Sequence, residues 1–175
     1  MGKQRVYRES ISVCSESTTL AKTLGIQLRD KGSYILIIKL KDAIQVNIRR
    51  RIIELKPGYY AYVGSAGGFG GLKARLSRHC VKEKKIFWHI DKLTTNSKAT
   101  VLFAYYCVGV WGRNVEATLA KCLERDLSPI PRFGSTDDKE AKTHLFHAID
   151  FEKVKKISLE CLKKICLGEI GVYKC

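Results

Sequence analysis

Apolar and polar positions along this chain fall into distinct periodicities. A β-branched run over 34–40, an apolar/polar alternation over 44–48 and a third run over 59–63, just after the Pro57-Gly58 turn signal, predict adjacent antiparallel strands. Residues 100–108 are apolar throughout and short enough to form a buried strand. Leu, Val and Ala recur at helical spacing over 71–81 and over 114–127, with Asn114 placed to cap the second helix. Leu20, Leu24 and Leu28 mark a weak helix near the start, and a Lys-, Ile- and Leu-rich helix over 152–167 runs into Gly168, a position suited to a C-cap. The expected fold is α+β, with a small antiparallel three-stranded central sheet flanked by helices. Residues 1–31 read as a basic N-terminal extension, 32–150 as the main domain and 151–175 as a C-terminal helix and tail, with no internal repeat.

Composition narrows the partners. The 175 residues suffice for one substantial core. Lys and Arg number 32 against 17 Asp and Glu, a formal net charge of +15 that attracts polyanions, nucleic acid first among them. The same charge would also serve simply to keep copies of the protein apart. The charged residues of 1–8 are followed by no apolar run of the secretory kind, so the expected location is the cytoplasm. The longest uncharged apolar stretch, 100–111, is shorter than the roughly 20 residues of a spanning helix, and no membrane partner is expected.

Seven cysteines, at positions 14, 80, 107, 122, 161, 166 and 175, include no CxxC pair, which argues against a zinc ribbon or a thioredoxin-type site. Most are expected to be small buried apolar residues. Scarce Asn and Gln alongside abundant Lys also suit heat-adapted proteins, some of which form intracellular disulfides, so pairing stays open.

The glycine-rich segment 64–71 lies between an expected strand and an expected helix, the setting of a phosphate-binding loop. It lacks the Gly-Lys-Ser/Thr ending, since Gly71 is followed by Leu72 and Lys73, and reads as a plain connection. In the helix after it, the spacing of Arg75, Arg78, His79 and Lys82 suggests one cationic face opposite Leu72, Leu76 and Cys80. Arg offers a planar fork to a phosphate, and His titrates near neutrality. A solvated basic face is the ordinary alternative.

Gly32-Ser33-Tyr34 on the first strand and Tyr62-Val63-Gly64 on a later one, with Arg75 and His79 on the helix that follows, give the segment a recognisable signature. The chain resembles the GIY-YIG nuclease superfamily over 32–149. Within it, the chain is similar to an uncharacterised archaeal and bacterial branch, a domain of unknown function, through the strings Tyr62-Val63-Gly64-Ser65-Ala66, Gly71-Leu72, Trp88-His89-Ile90-Asp91, Phe133-Gly134-Ser135 and His144-Leu145-Phe146.

The resemblance implies a metal-dependent endonuclease acting on DNA, with RNA left open, in repair or processing. Its catalytic set would be Tyr34, Tyr62, Arg75, His79 and Glu116, with Glu116 holding Mg²⁺ or Mn²⁺ and Tyr34, Tyr62 or His79 taking a proton from water. The ordinary role of Glu116 would be to complement a helix dipole. Lys73, Arg75, Arg78, Lys82, Lys84 and Lys85, with residues 49–51, would contact the phosphate backbone without reading bases. Three departures stand out: Ser33 replaces an isoleucine, the gap from Gly64 to Arg75 is long, and no residue matches an asparagine many members carry after the glutamate. His144 and the 135–138 cluster are the substitutes within the sequence. His89 and Asp91 are not counted as catalytic. The rival reading is a non-catalytic nucleic-acid-binding module with a nuclease-like fold, acting beside a repair protein.

Overall fold

The computed structural model describes residues 27, 29–48, 50–134, 142–168 and 170–175. Strand β1 (Gly32–Leu40) is buried along nearly its whole length, on both faces, and therefore needs a neighbour on each edge and a layer on each side. Its neighbours are β4 (Gly58–Ala66) and β5 (Ala99–Val108), both antiparallel to it. Shorter strands extend this centre: β6 (Ser128–Pro129) and β7 (Leu145–Ala148) beyond β4, and β8 (Ile170–Lys174) beyond β5. The sheet thus has six strands in the order β6-β7-β4-β1-β5-β8, every described pairing antiparallel.

This corrects the three-stranded sheet expected from sequence. Strand β2 (Ile44–Ile48) does not join the sheet; it pairs with β3 (Arg51–Leu55) in a separate ribbon. Its alternation explains why: Ile44, Val46 and Ile48 are buried while Gln45 and Asn47 are exposed, so one face of the ribbon joins the core and the other meets solvent. The second neighbour of β1 is instead the longer apolar strand β5.

Alternating residues of β1 separate two core layers. Tyr34, Leu36, Ile38 and Leu40 pack with Leu72 and Leu76 of helix α1 (Gly71–Cys80), with Leu93 of the short helix α2 (Asp91–Thr94) and with the ribbon. Ile35 and Ile37 face Ala117, Leu119 and Leu123 of α3 (Arg113–Leu123) and Val154 and Leu162 of α4 (Phe151–Lys163). The start of α3 lies at Gly112, so Asn114 is inside the helix and does not cap it, while α4 is capped by Asp150, whose side chain accepts from the Lys153 amide. That helix ends at Lys164, short of Gly168. The weak helix expected over 18–28 lies outside the described residues apart from Gln27. No helix among the described residues is long and apolar enough to cross a membrane.

Cysteine turns out to be a cross-linking residue here. Cys80 pairs with Cys175, Cys107 with Cys166 and Cys122 with Cys161; only Cys14 lies outside the described residues. Each bond ties the last stretch of chain, α4 to the C-terminus, to an element formed much earlier: α1, β5 or α3. The same stretch contributes β8, where Gly171 is required because a Cβ there would lie 2.0 Å from the Tyr106 ring on the facing strand.

The sequence separations of 95, 59 and 39 residues are long, and in the loop-entropy view each closure stabilises the folded chain by about 4 kcal/mol. Replacing Cys122 and Cys161 together with Ser is expected to cost about 2–4 kcal/mol in a urea titration. Adding a reductant to the wild-type chain should lower its midpoint further; an unchanged midpoint in both experiments would show that the bonds do not form in solution.

Candidate active site

The register of β1 against β4 sets Tyr34 directly opposite Gly64. A Cβ at Gly64 would lie 2.4 Å from the Tyr34 hydroxyl and 2.5 Å from its ring, so the bare backbone at position 64 is what lets the ring lie flat across β4. Gly32 meets a similar limit, its Cβ position lying 2.1 Å from the Cys107 carbonyl oxygen and 2.7 Å from Leu72. Both glycines of the paired tripeptides thus have steric reasons. Ser33 points to the other face, buried, and donates to the Val110 carbonyl at 2.8 Å. It fastens the loop that leads into α3, and with it the approach to Glu116.

Helix α1 lies over the Tyr34 face. Gly71 opens it at φ +57°, a conformation that lets residues 29 and 30 pass within 3 Å of where a Cβ would stand, and the Leu72 amide donates to the Asp30 carbonyl. The single cationic face expected on this helix needs correction. His79 is two turns from Leu72, seven residues on, and is buried beside Leu72 and Leu76. Lys82 lies past the helix end, where its ammonium donates to the carbonyls of Thr94, Asn96 and Ala99.

Buried in this way, His79 meets Tyr34: its Nε2 and the tyrosine hydroxyl are 2.8 Å apart. Its Nδ1, also buried, bonds no described residue. Tyr62 stands edge-on to the same imidazole, with ring centroids 6.4 Å apart. Arg75, one turn before His79, lays its guanidinium 3.8 Å from the centre of the Trp88 ring. Trp88 is held in turn by a buried carboxylate: Asp91 accepts from the amides of Phe87 and Trp88 and from Arg78, and pairs with Lys84 at 3.4 Å. Asp91 is therefore a structural bracket. Burial alone would raise its pKa, but those hydrogen bonds outweigh it and hold the carboxyl below the usual range.

Glu116 comes from the opposite layer. It lies in the first turn of α3, close enough to both tyrosine hydroxyls to affect their ionisation. Burial pushes the Tyr34 hydroxyl well above its ordinary range, the neighbouring Tyr62 adds to this, and Arg75 opposes it. Tyr62 is raised by burial and by Glu116, again against Arg75. Both stay protonated near neutral pH. His79 moves the other way, down to about 3, through burial first and then the positive charges of Lys84 and Arg75, so it is a neutral imidazole.

The structure thus brings together all five residues expected at the site: Tyr34, Tyr62, Arg75, His79 and Glu116. Among them, the Glu116 carboxylate, the Tyr62 hydroxyl and the Arg75 guanidinium make no hydrogen bond or ion pair to any described residue. A divalent cation fits this donor set: Mg²⁺ commonly takes one or two protein carboxylates and fills the rest with water and phosphate oxygens, and Glu116 is an unspent hard oxygen ligand. No group of three or more His, Cys, Asp or Glu side chains that could hold a metal ion gathers among the described residues.

The proposed phosphate-contacting cations sort into two sets. Lys73 and Lys85 are exposed, and Arg75 is partly so. Arg78, Lys82 and Lys84 are engaged in the Asp91 bracket and the carbonyls around it, Lys84 also bonding Thr94 Oγ1 and the Arg78 carbonyl. Of the sequence's substitutes for the missing asparagine, 135–138 lie outside the described residues, and His144 is buried beside Gly134, which in turn lies against Tyr62. Sequence reading missed Trp88 as the platform for Arg75; the run of aromatic and charged residues around it was the available signal.

Two outcomes follow from this packing. His79 ordinarily titrates near 6.5, so below that pH the unfolded chain binds a proton that the native chain refuses until about pH 3. Stability should be fully present above pH 6.5 and fall as pH drops through the window, by up to about 1.4 kcal/mol per pH unit from this residue. Denaturant titrations at pH 7 and pH 4 should show a smaller loss in His79→Gln than in wild type; an equal loss would mean His79 is not buried neutral. Gly64→Ala should collide with Tyr34 and cost about 2 kcal/mol or more in thermal unfolding, and Tyr34→Phe in the same background should not restore it, because the ring itself is struck.

Comparison with known proteins gives a single assignment. No curated protein and no solved structure matches the chain. A family model described as a domain of unknown function, DUF123, matches residues 33–167, a span that begins at Ser33 on β1, includes Tyr34, Tyr62, Arg75, His79 and Glu116 and runs past the end of α4. The chain therefore belongs to the DUF123 family.

Proposed function

We propose that this chain is a metal-dependent endonuclease that hydrolyses phosphodiester bonds in DNA, with the reaction centred between α1, β1, β4 and the first turn of α3. The observation that carries the reading is the gathering of Glu116 and Arg75, neither with a hydrogen-bond or ion-pair partner among the described residues, around two protonated tyrosines on a strongly basic chain. The same residue set is what the resemblance of the sequence to the GIY-YIG nucleases implies for such a site.

Each residue has a role consistent with its surroundings. Glu116 holds Mg²⁺ or Mn²⁺, which when bound neutralises phosphate charge and eases the deprotonation of water. Arg75, its orientation fixed by stacking on Trp88, binds a non-bridging phosphate oxygen and stabilises the charge that develops there. Tyr62 remains protonated and donates a hydrogen bond from its hydroxyl to the phosphate or the attacking water. Tyr34 and His79 form a neutral hydrogen-bonded pair that positions this wall. Exposed Lys73 and Lys85 supply backbone contacts, which confer salt-sensitive affinity without base preference.

A second reading, a nucleic-acid-binding module without catalysis, draws on one observation: His79 and both tyrosines are held in neutral forms, and none is a ready base near pH 7.

Nicking of supercoiled plasmid and cleavage of branched DNA in Mg²⁺ or Mn²⁺ separate the two. Wild type should cleave, and Glu116→Ala and Arg75→Ala should each lose about 100-fold or more, with DNA affinity retained in Glu116→Ala. Binding without cleavage on every substrate and metal, in wild type and variants alike, would replace the first reading with the second.

A further inference from the structure

Two large exposed aromatics lie on the loops that follow β4 and β5, at the end of the sheet where the site is built, and the reaction proposed above does not use them. Phe69 is 81% exposed and Trp111 is 44% exposed. Three segments converge there. The Lys31 carbonyl accepts from the Gly109 amide, Ser33 bonds the Val110 carbonyl, and Trp111 lies over Gly67, where a Cβ would be 2.7 Å from its ring. Each ring also carries a cation: Arg29 stands 4.3 Å from the centre of Phe69 and Lys31 stands 5.4 Å from that of Trp111. Segments 29–31, 66–73 and 108–113 together hold Arg29, Lys31, Lys73 and Arg113 against one acid, Asp30, which spends an oxygen on the Gln27 amide.

The platform and the reacting groups share a rim. Phe69 is two residues before α1, the helix of Arg75 and His79; Trp111 is two residues before α3, the helix of Glu116. Rings with cations beside them match one class of ligand well: a flat, π-faced group attached to phosphate. Bases in a duplex have their faces covered by stacking and present only edges and backbone, so a duplex gains little from an exposed phenyl ring. Unpaired bases offer free faces, and the cations beside the rings meet the phosphates between them.

We propose that the substrate enters this site as unpaired nucleotides, in a single strand, flap or open branch, whose bases stack on Phe69 and Trp111. This rests on the reading of the chain as a nucleic-acid hydrolase and specifies what that hydrolase accepts. A protein partner offering an apolar face fits the surface less well, since each ring has a cation over it.

The test uses the full chain in EDTA, to hold cleavage off, with fluorescently labelled oligo-dT and a hairpin duplex of equal length. Wild type should bind the single strand more tightly than the duplex. Phe69→Ala and Trp111→Ala should each weaken single-strand binding about tenfold and leave duplex binding nearly unchanged, while Trp111→Phe retains most of the affinity. Only Trp88 and Trp111 fluoresce as tryptophan, so quenching by oligo-dT should fall in Trp111→Phe. Phe69 is so exposed that its replacement leaves the core intact, which keeps the test readable even if Trp111→Ala unfolds. Equal affinity for strand and duplex, with no effect of Phe69→Ala, overturns the stacking inference alone and leaves the hydrolase reading to the nicking assay. Failure to bind either probe overturns both.

Discussion

Everything around the site depends on the flat seat of Tyr34 against Gly64. Strand register places the two opposite each other, and the missing side chain lets a buried aromatic ring cross the neighbouring strand. The hydroxyl then reaches His79 on α1, which links the sheet register to the position of the helix. A shift of one residue in the register would turn Tyr34 to the opposite layer and leave His79 buried without its partner. Arg75 lies one turn from His79, so its position is fixed by the same contact, and Trp88 with its Asp91 bracket fixes its direction.

Charge on this chain has two uses, and internal hydrogen bonding separates them. Lys82, Lys84 and Arg78 close off the carbonyls and the carboxylate at the α1–α2 junction, where burial lowers the pKa of Lys82 and Lys84. These cations are part of the scaffold. Lys73, Lys85 and Arg113 remain exposed. The large positive excess is thus in part neutralised or hydrogen-bonded within the fold. Cross-linking follows a similar logic of place: three disulfides join the C-terminal stretch to α1, β5 and α3, so the two helices that bring Arg75 and Glu116 to the site are both anchored through it.

Local patterns were legible wherever the chemistry is local. The strands over 34–40, 44–48 and 100–108, the helices after 71 and after 113 and the terminal helix all follow from periodicity, and Tyr34, Tyr62, Arg75, His79 and Glu116 were candidates because the sequence resembles a known family at those positions. Misreadings arose where a neighbour distant in sequence decides the outcome. Ile44 to Ile48 alternates as an edge strand of the sheet would, and nothing within it says that β5, more than fifty residues on, takes the place beside β1. Strand β6 is too short to show a period of its own, β8 shows no apolar/polar alternation, and each pairs with an edge that a neighbouring strand offers.

Sequence by itself therefore determined an α+β domain of strongly basic character and its main elements, because periodicity and composition act over a few residues at a time, while the five candidate site residues rested on a resemblance of motif. Only the tertiary structure decided that His79 faces the core, that Glu116 meets the tyrosines from the opposite layer, that six cysteines pair and that half the expected cationic face is spent internally. The physical reason is the same in each case: burial, pairing and charge compensation are properties of residues brought together across the sheet, and no window along the chain contains both partners.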